Sequence, residues 1–213
     1  MNIVVIDYGL GNIKSIKNAF EALGVEVILS REKEAILNAD GVVLPGVGAF
    51  SHGMNNLIEY GLDDIIREYV ITDKPLLGIC LGMQMMMEES EEFGITKGLG
   101  LIKGRVIKIP VHQTKKIKLP HISWNEIKVK SVDWEDTILE DVPKDSNMYF
   151  VHTFIAKPYY KDNILSVTEY ENVEFCSSVK KDNIYGCQFH PEKSASMGLG
   201  IIKNFIKICK KLK

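Results

Sequence analysis

The chain has 213 residues, a net charge of −2, and 46% hydrophobic and 25% charged residues. These are ordinary globular proportions, and a chain of this length buries roughly 70% of its unfolded surface, enough for a sheet covered on both faces. Near-neutral charge argues against a nucleic-acid or other polyanionic partner, and no apolar run reaches the ~18 residues that span a bilayer.

Ile3 to Ile6 is a short apolar run and reads as a buried parallel strand. Tyr8 to Asn12 forms a turn with two glycines, and Ile13 to Leu23 carries a helical period through Ile16, Ala19, Phe20 and Leu23. A dinucleotide fingerprint is not supported there, because its third glycine falls on Lys14. Gly24 is placed to end the helix. Val25 to Leu29 is the next strand, Glu32 to Asn38 a short helix, and Gly41 to Leu44 a further buried strand. This β-α-β-α-β rhythm predicts a doubly wound, mostly parallel sheet with flanking helices. Phe50 to Tyr60 and Leu62 to Val70 are amphipathic helices separated by Gly61.

The pattern changes after Gly98. Gly104 to Pro110 and Ile122 to Val129 alternate as antiparallel strands do, and Tyr149 to Ile155 and Ile164 to Thr168 extend this to an additional antiparallel sheet or edge. Trp134 to Val142 reads as a weak helix or a loop. Phe175 to Val179 and Ile184 to Phe189 form a hairpin, and a closing helix runs from about Met197 to Leu212 with Ile201, Phe205 and Ile208 inward. The lysines at 115, 116 and 118 read as a solvated loop, and those of the tail from Lys203 to Lys213 as a wet helix face. No repeat or linker interrupts the chain, so 1–213 is expected to be one domain. The first residues lack a basic region and meet Asp7 early, unlike a signal peptide. Four cysteines without compact spacing suit a reducing, cytoplasmic setting.

Two stretches carry chemistry. In residues 75 to 87, Leu76 to Ile79 read as a buried strand and Leu81 to Met87 as a helix start, with Cys80 at the corner between Gly78 and Gly82. A residue at such a strand-to-helix elbow projects its side chain outward, and small neighbours let a substrate approach. A helix N-terminus just after the sulfur favours thiolate. A cysteine in an apolar run is, however, usually a small buried hydrophobe. The second stretch is Tyr185 to Glu192. His190 leaves a strand, Pro191 stops ladder pairing, and Glu192 is near enough to hold the imidazole in one tautomer. Taken alone, the His-x-Glu pair could equally be surface residues. Metal chemistry is disfavoured: no Pro-Cys-x-x-Cys follows, and His52, His112, His121 and His152 lack ligand spacing. Met83, Met86 and Met87 recur at i, i+3, i+4 and read as core. After the third strand, the glycines of Pro45 to Gly48 leave N–H groups unobstructed, which suits either anion binding or an ordinary loop.

Gly-Ile-Cys-Leu-Gly at 78–82 followed by His-Pro-Glu at 190–192 resembles the class I (triad) glutamine amidotransferases. The likeness extends through Ile-Asp-Tyr-Gly-Leu-Gly-Asn, Leu-Pro-Gly-Val-Gly-Ala-Phe at 44–50, Leu-Pro-His-Ile-Ser-Trp-Asn at 119–125 and Tyr-Phe-Val-His-Thr-Phe at 149–154. From end to end the chain is similar to the glutaminase subunits of imidazole glycerol phosphate synthases. The resemblance implies a Cys80–His190–Glu192 triad that hydrolyses glutamine, with no cofactor and no metal. It assigns the loop at Gly48 to an oxyanion hole and makes Gln84 a glutamine contact; the Leu81 N–H, just after the cysteine, follows from the elbow geometry as the second donor. It implies a cyclase (β/α)8-barrel partner that receives ammonia, met through Asn12, Trp124, Asn125, Tyr149 and Lys193; a flipping Val47–Gly48 peptide is a reasonable two-state gate between the two. Family members usually carry Gly-Trp-Asn where this chain has Ser123-Trp124-Asn125. That departure keeps open a paralogous subunit feeding ammonia to surface-sugar amination. An inactive docking subunit and a thiol peptidase or chaperone-like relative are the remaining alternatives.

Overall fold

The computed structural model describes residues 1–110, 118–130 and 132–212. His112, Lys115, Lys116 and Lys213 therefore lie outside the described residues. The parallel half is built from β1 (Ile3–Ile6), β2 (Val27–Ser30), β3 (Gly41–Leu44) and β4 (Leu76–Ile79). They are joined by α1 (Ile13–Glu21), α2 (Lys33–Leu37), α3 (Phe50–Glu59) and α4 (Leu62–Ile71). β1, β3 and β4 are buried at every position, as runs without polar alternation in a doubly covered sheet should be.

The period of two along each strand divides the interior into two cores. Ile3, Val5, Val43, Leu77 and Ile79 pack on one face with Ile16 and Phe20 of α1. Val4, Ile6, Val42, Leu44 and Leu76 pack on the other with Ile36, Phe50, Leu57 and Ile66 of α2, α3 and α4.

After β4 come the short helix α5 (Leu81–Met85) and strands β5 (Glu89–Ser90), β6 (Thr96–Lys97) and β7 (Gly104–Lys108). Then follow β8 (His121–Glu126), β9 (Lys128–Val129), β10 (Asn147–His152), β11 (Phe154–Pro158), β12 (Ile164–Tyr170), β13 (Val173–Lys181) and β14 (Ile184–Cys187). The last helix is α6 (Ala195–Lys211), whose Ile201, Phe205 and Ile208 are buried against the α1 side. An eight-stranded sheet runs in the order β2-β1-β3-β4-β14-β13-β12-β9. The first five strands are parallel and the last three antiparallel. β10 pairs with β8, and β11-β7-β5-β6 form a third sheet. The fold is thus the expected α/β type with an antiparallel extension.

Three expected elements differ, and Trp134 to Val142, read as a weak helix or a loop, is a loop. The single strand from Tyr149 to Ile155 is two: the chain leaves β8 and joins β7 at Thr153, so β10 and β11 serve different sheets. The strand from Ile122 to Val129 breaks at Ile127, which turns inward to full burial and bonds Ser146. The Trp134 to Val142 loop is a series of turns. Asp136 and Asp141 there take φ of 53° and 60°, values a helix cannot use. The elbow helix stops at Met85 instead of reaching Met87. The N–H groups of Leu99, Ile102 and Gly100 take the carbonyls of Met85, Met86 and Met87 and pin that chain segment to the following loop.

α5 sits so close to β3 that a Cβ at Gly82 would lie 1.9 Å from the Leu44 carbonyl oxygen, and one at Gly78 would lie 2.8 Å from the backbone of Gly82 and Met83. Backbone cannot yield as a flexible side chain does. Gly82→Ala is expected to lose about 3 kcal/mol or more of stability, read as a fall in the urea midpoint at unchanged slope.

Candidate active site

Cys80 takes φ 54° and ψ −108°, a backbone region that L-residues avoid at a cost of order 1–3 kcal/mol. The surrounding structure enforces it. The Cys80 N–H donates to the Cys187 carbonyl at 2.7 Å, and the Cys80 carbonyl accepts from the Gln84 N–H at 3.1 Å to open α5. The two glycines flanking the cysteine are what permit this close turn. α5 itself has only five residues, so the expected helix-dipole support for the sulfur is reduced to one turn.

β14 lies beside β4 in parallel register, pairing Gly186 with Gly78 and Cys187 with Ile79. The chain beyond β14 therefore emerges at the same sheet edge as Cys80. His190 is tied there by its N–H to the Tyr149 carbonyl at 2.9 Å, and Pro191–Lys193 turn back as one turn of 3-10 helix. Ser194 clamps that turn: its hydroxyl donates to the His190 carbonyl at 2.6 Å and accepts from the Tyr149 N–H at 3.0 Å. The result places Glu192 Oε1 2.8 Å from His190 Nδ1, with both side chains almost wholly buried. Burial opposes the imidazolium, while the Cys80 sulfur and the Glu192 carboxylate favour it, and the balance raises His190 to about 10. Nε2 of His190, the ring atom not held by Glu192, has no hydrogen-bond partner among the described residues. Cys80 Sγ makes no hydrogen bond to Nε2 in this arrangement, and the Glu192 contact is the one that holds the ring.

Cys80 and His190 line one cavity of about 360 Å³, together with Val47, Gly48, Leu81 and Gln84. Gly48 has φ +100° and lies exposed on the cavity wall. The Leu81 N–H belongs to the first turn of α5, where no intrahelical acceptor exists. Gln84 is buried and donates through Nε2 to the Phe154 carbonyl at 2.9 Å and to Gln188 Oε1 at 3.0 Å. The sulfur of Cys80 faces Gln188 Nε2 at 3.7 Å and the Val151 carbonyl at 3.9 Å.

Two side chains here, Glu92 and Gln188, were not singled out from the sequence. Glu92 brings a carboxylate to the cavity while accepting from the Phe50 N–H at the start of α3. It belongs to a run of acids that resembles a solvated face, and nothing in that run marks which one turns in. Gln188 is fully buried under the sulfur. His121 and His152, opposite one another on β8 and β10, share a ring-to-ring hydrogen bond of 3.0 Å. No group of three or more side chains able to hold a metal occurs among the described residues.

The five expected interface residues divide. Trp124 is half exposed, its ring 5.8 Å from that of Tyr149, and Lys193 Nζ lies 5.9 Å from the Tyr149 ring. Asn12 stands at the start of α1, which packs on the Pro191–Lys193 turn. Asn125 points elsewhere, because neighbours on a strand face opposite sides. It donates to the Glu169 carbonyl at 3.2 Å and contacts His121 Nε2 at 2.8 Å. Ser123 joins the same network through His121 Nε2 and the Asn125 oxygen.

The family description "Glutamine amidotransferase class-I" matches residues 4–209. The chain belongs to the class I glutamine amidotransferase family. Within it, the chain is 44% identical over 211 residues to "Imidazole glycerol phosphate synthase subunit HisH 1" of Legionella pneumophila (strain Lens), covering 97% of this chain and 99% of that protein. It is 46% identical over 206 residues to "Imidazole glycerol phosphate synthase subunit HisH 2" of Methanococcus maripaludis, covering 96% and 98%. A chain in the structure of PurLQS from Thermotoga maritima shares the fold, with a TM-score of 0.70 at 17% identity and 97% coverage of both chains.

His152 is held down to about 3 by burial and by the charges of His121 and His190. A histidine depressed in the fold leaves stability intact above its unfolded value of 6.5 and loses it as pH falls toward the folded value. At pH 5 the loss is about 2 kcal/mol relative to pH 7. His152→Gln is expected to remove that share of the acid sensitivity, measured as the difference between urea midpoints at the two pH values.

Proposed function

We propose that this chain is the glutaminase subunit of an imidazole glycerol phosphate synthase, working as one amidotransferase domain over residues 1–213. The observation that carries the reading is the convergence of Cys80 and the buried His190–Glu192 pair on a single cavity across β4 and β14.

In the proposed reaction the Cys80 thiolate attacks the side-chain amide carbon of glutamine, and its proton resides on His190. Backbone N–H groups at Leu81 and in the Gly48 loop receive the developing oxyanion, each such donor being worth roughly 3–4 kcal/mol. His190 gives its proton to the departing ammonia, leaving a glutamyl thioester on Cys80. Water then attacks the thioester; His190 takes the water's proton, and glutamate departs as the sulfur is released. Glu192 keeps the ring oriented and its charged form stable, consistent with the raised value of His190. Gln84, with both Nε2 hydrogens engaged, offers its oxygen to the substrate. The Glu92 carboxylate suits the substrate's ammonium group.

The proposed partner is a cyclase (β/α)8 barrel. The aromatic pair Trp124 and Tyr149, with Lys193 beside it, supports this as the docking face, since exposed aromatic rings are common interface anchors. Asn12 would border that face, and Asn125 would act from behind it by bracing β8. The proposed setting is the cytoplasm; all four cysteines are free and buried. Ser123, in place of the family's glycine, favours keeping a second acceptor in view, an aminated surface sugar, with the same glutaminase chemistry.

Mixing the chain with the cyclase barrel of the same cell, its ribonucleotide substrate and glutamine is expected to yield imidazole glycerol phosphate. Cys80→Ala should lower the glutamine-dependent rate by about a thousandfold or more, and leave the rate with added ammonia unchanged. Glutamate release without imidazole glycerol phosphate would move the acceptor to another partner.

A further inference from the structure

We propose that Gln188 is a catalytic residue: its carboxamide N–H donates to the Cys80 sulfur, aimed there by a relay of amides that starts at a main-chain carbonyl. The proposal rests on Cys80 being the nucleophile.

The relay has one direction. The Phe154 carbonyl can only accept, so the Gln84 terminal atom 2.9 Å from it is nitrogen. That nitrogen carries two hydrogens, and the second points at a Gln188 terminal atom 3.0 Å away. The Gln188 atom must therefore be its oxygen. Its remaining terminal atom, 3.7 Å from Cys80 Sγ, is then the NH2 group. Rotating either amide by half a turn would set two donors or two acceptors against each other in a buried site, a penalty of the kind buried networks avoid. Gln188 is wholly buried, and its backbone N–H is fixed to the Ser177 carbonyl at 2.9 Å.

A donor aimed at sulfur favours thiolate over thiol, because a hydrogen bond to the charged form is the stronger one. It acts twice in the cycle. Before attack it holds the thiolate beside the His190 imidazolium. During hydrolysis of the thioester the C–S bond breaks with its electron pair passing to sulfur, and the same N–H receives the thiolate that leaves. His190 and Gln188 thus address the sulfur from the two chain positions that flank Phe189.

The test is alkylation of Cys80 by iodoacetamide at neutral pH, followed on the peptide that contains it, with Cys80→Ser as the blank. Gln188→Glu preserves the acceptor for Gln84 and removes the donor; Gln188→Met removes the donor without adding charge. Folding is checked by thermal melting. The expected result is a fall in alkylation rate of about tenfold for Gln188→Glu and severalfold for Gln188→Met, with kcat for glutamine falling in parallel and KM little changed. Rates within twofold of the parent in either folded variant would overturn the proposal. Alkylation needs neither glutamine nor a partner, so a parent that fails to hydrolyse glutamine would sink the glutaminase reading while leaving this test intact.

Discussion

The pairing of β4 with β14 is the constraint on which the rest depends. Two strands more than a hundred residues apart in the chain lie side by side in parallel register, and both end at the same sheet edge. One delivers the cysteine at its elbow; the other delivers the histidine three residues past its end. The bond from the Cys80 N–H to the Cys187 carbonyl is the last rung of that ladder, and it also holds the strained turn at Cys80. In open α/β sheets the carboxyl ends of the strands are where sites form, and here β4 and β14 bring the proposed reacting groups to that end.

The charged pair beside the sulfur is supported from a second sheet. β10 gives the Tyr149 carbonyl and N–H to His190 and Ser194, and so fixes the turn that carries Glu192. A buried ion pair is costly to assemble and more costly to half-remove, which suits a pair retained for chemistry more than for stability. The same β10 continues into Val151 and His152 on the cavity wall. The backbone that orients the histidine therefore also shapes the place where substrate would lie. On the outer face of β10 and β8, Tyr149 and Trp124 stand beside Lys193. The proposed docking face and the proposed triad thus share one strand and one turn, a short physical route by which a partner could influence the site.

What the residues alone disclosed followed their physics. Buried parallel strands are continuous apolar runs, and β1, β3 and β4 fell where those runs lie. The elbow was legible because glycine, cysteine and glycine at alternate positions answer a steric demand visible in the packing of Gly78 and Gly82. Less legible were breaks imposed by distant partners. Nothing local says that the run from Tyr149 to Ile155 changes sheets at Thr153, since both halves are equally good strands. Asn125 fell on the face opposite Trp124 for the simple reason of strand alternation, although the two are neighbours in the motif. Glu92 was hidden among acids of the same composition. Gln188 stood inside the Tyr185 to Glu192 stretch, yet its proposed role depends on a chain of hydrogen bonds reaching Phe154.

The central claim is that Cys80 carries the glutamyl group between the two halves of the reaction. Rapid acid quenching of the chain turning over labelled glutamine with its barrel partner, followed by digestion, tests it most directly. The account predicts label bound covalently to the peptide containing Cys80. Label on another cysteine, or full turnover with no covalent label at any quench time even when thioester hydrolysis is slowed, would contradict it.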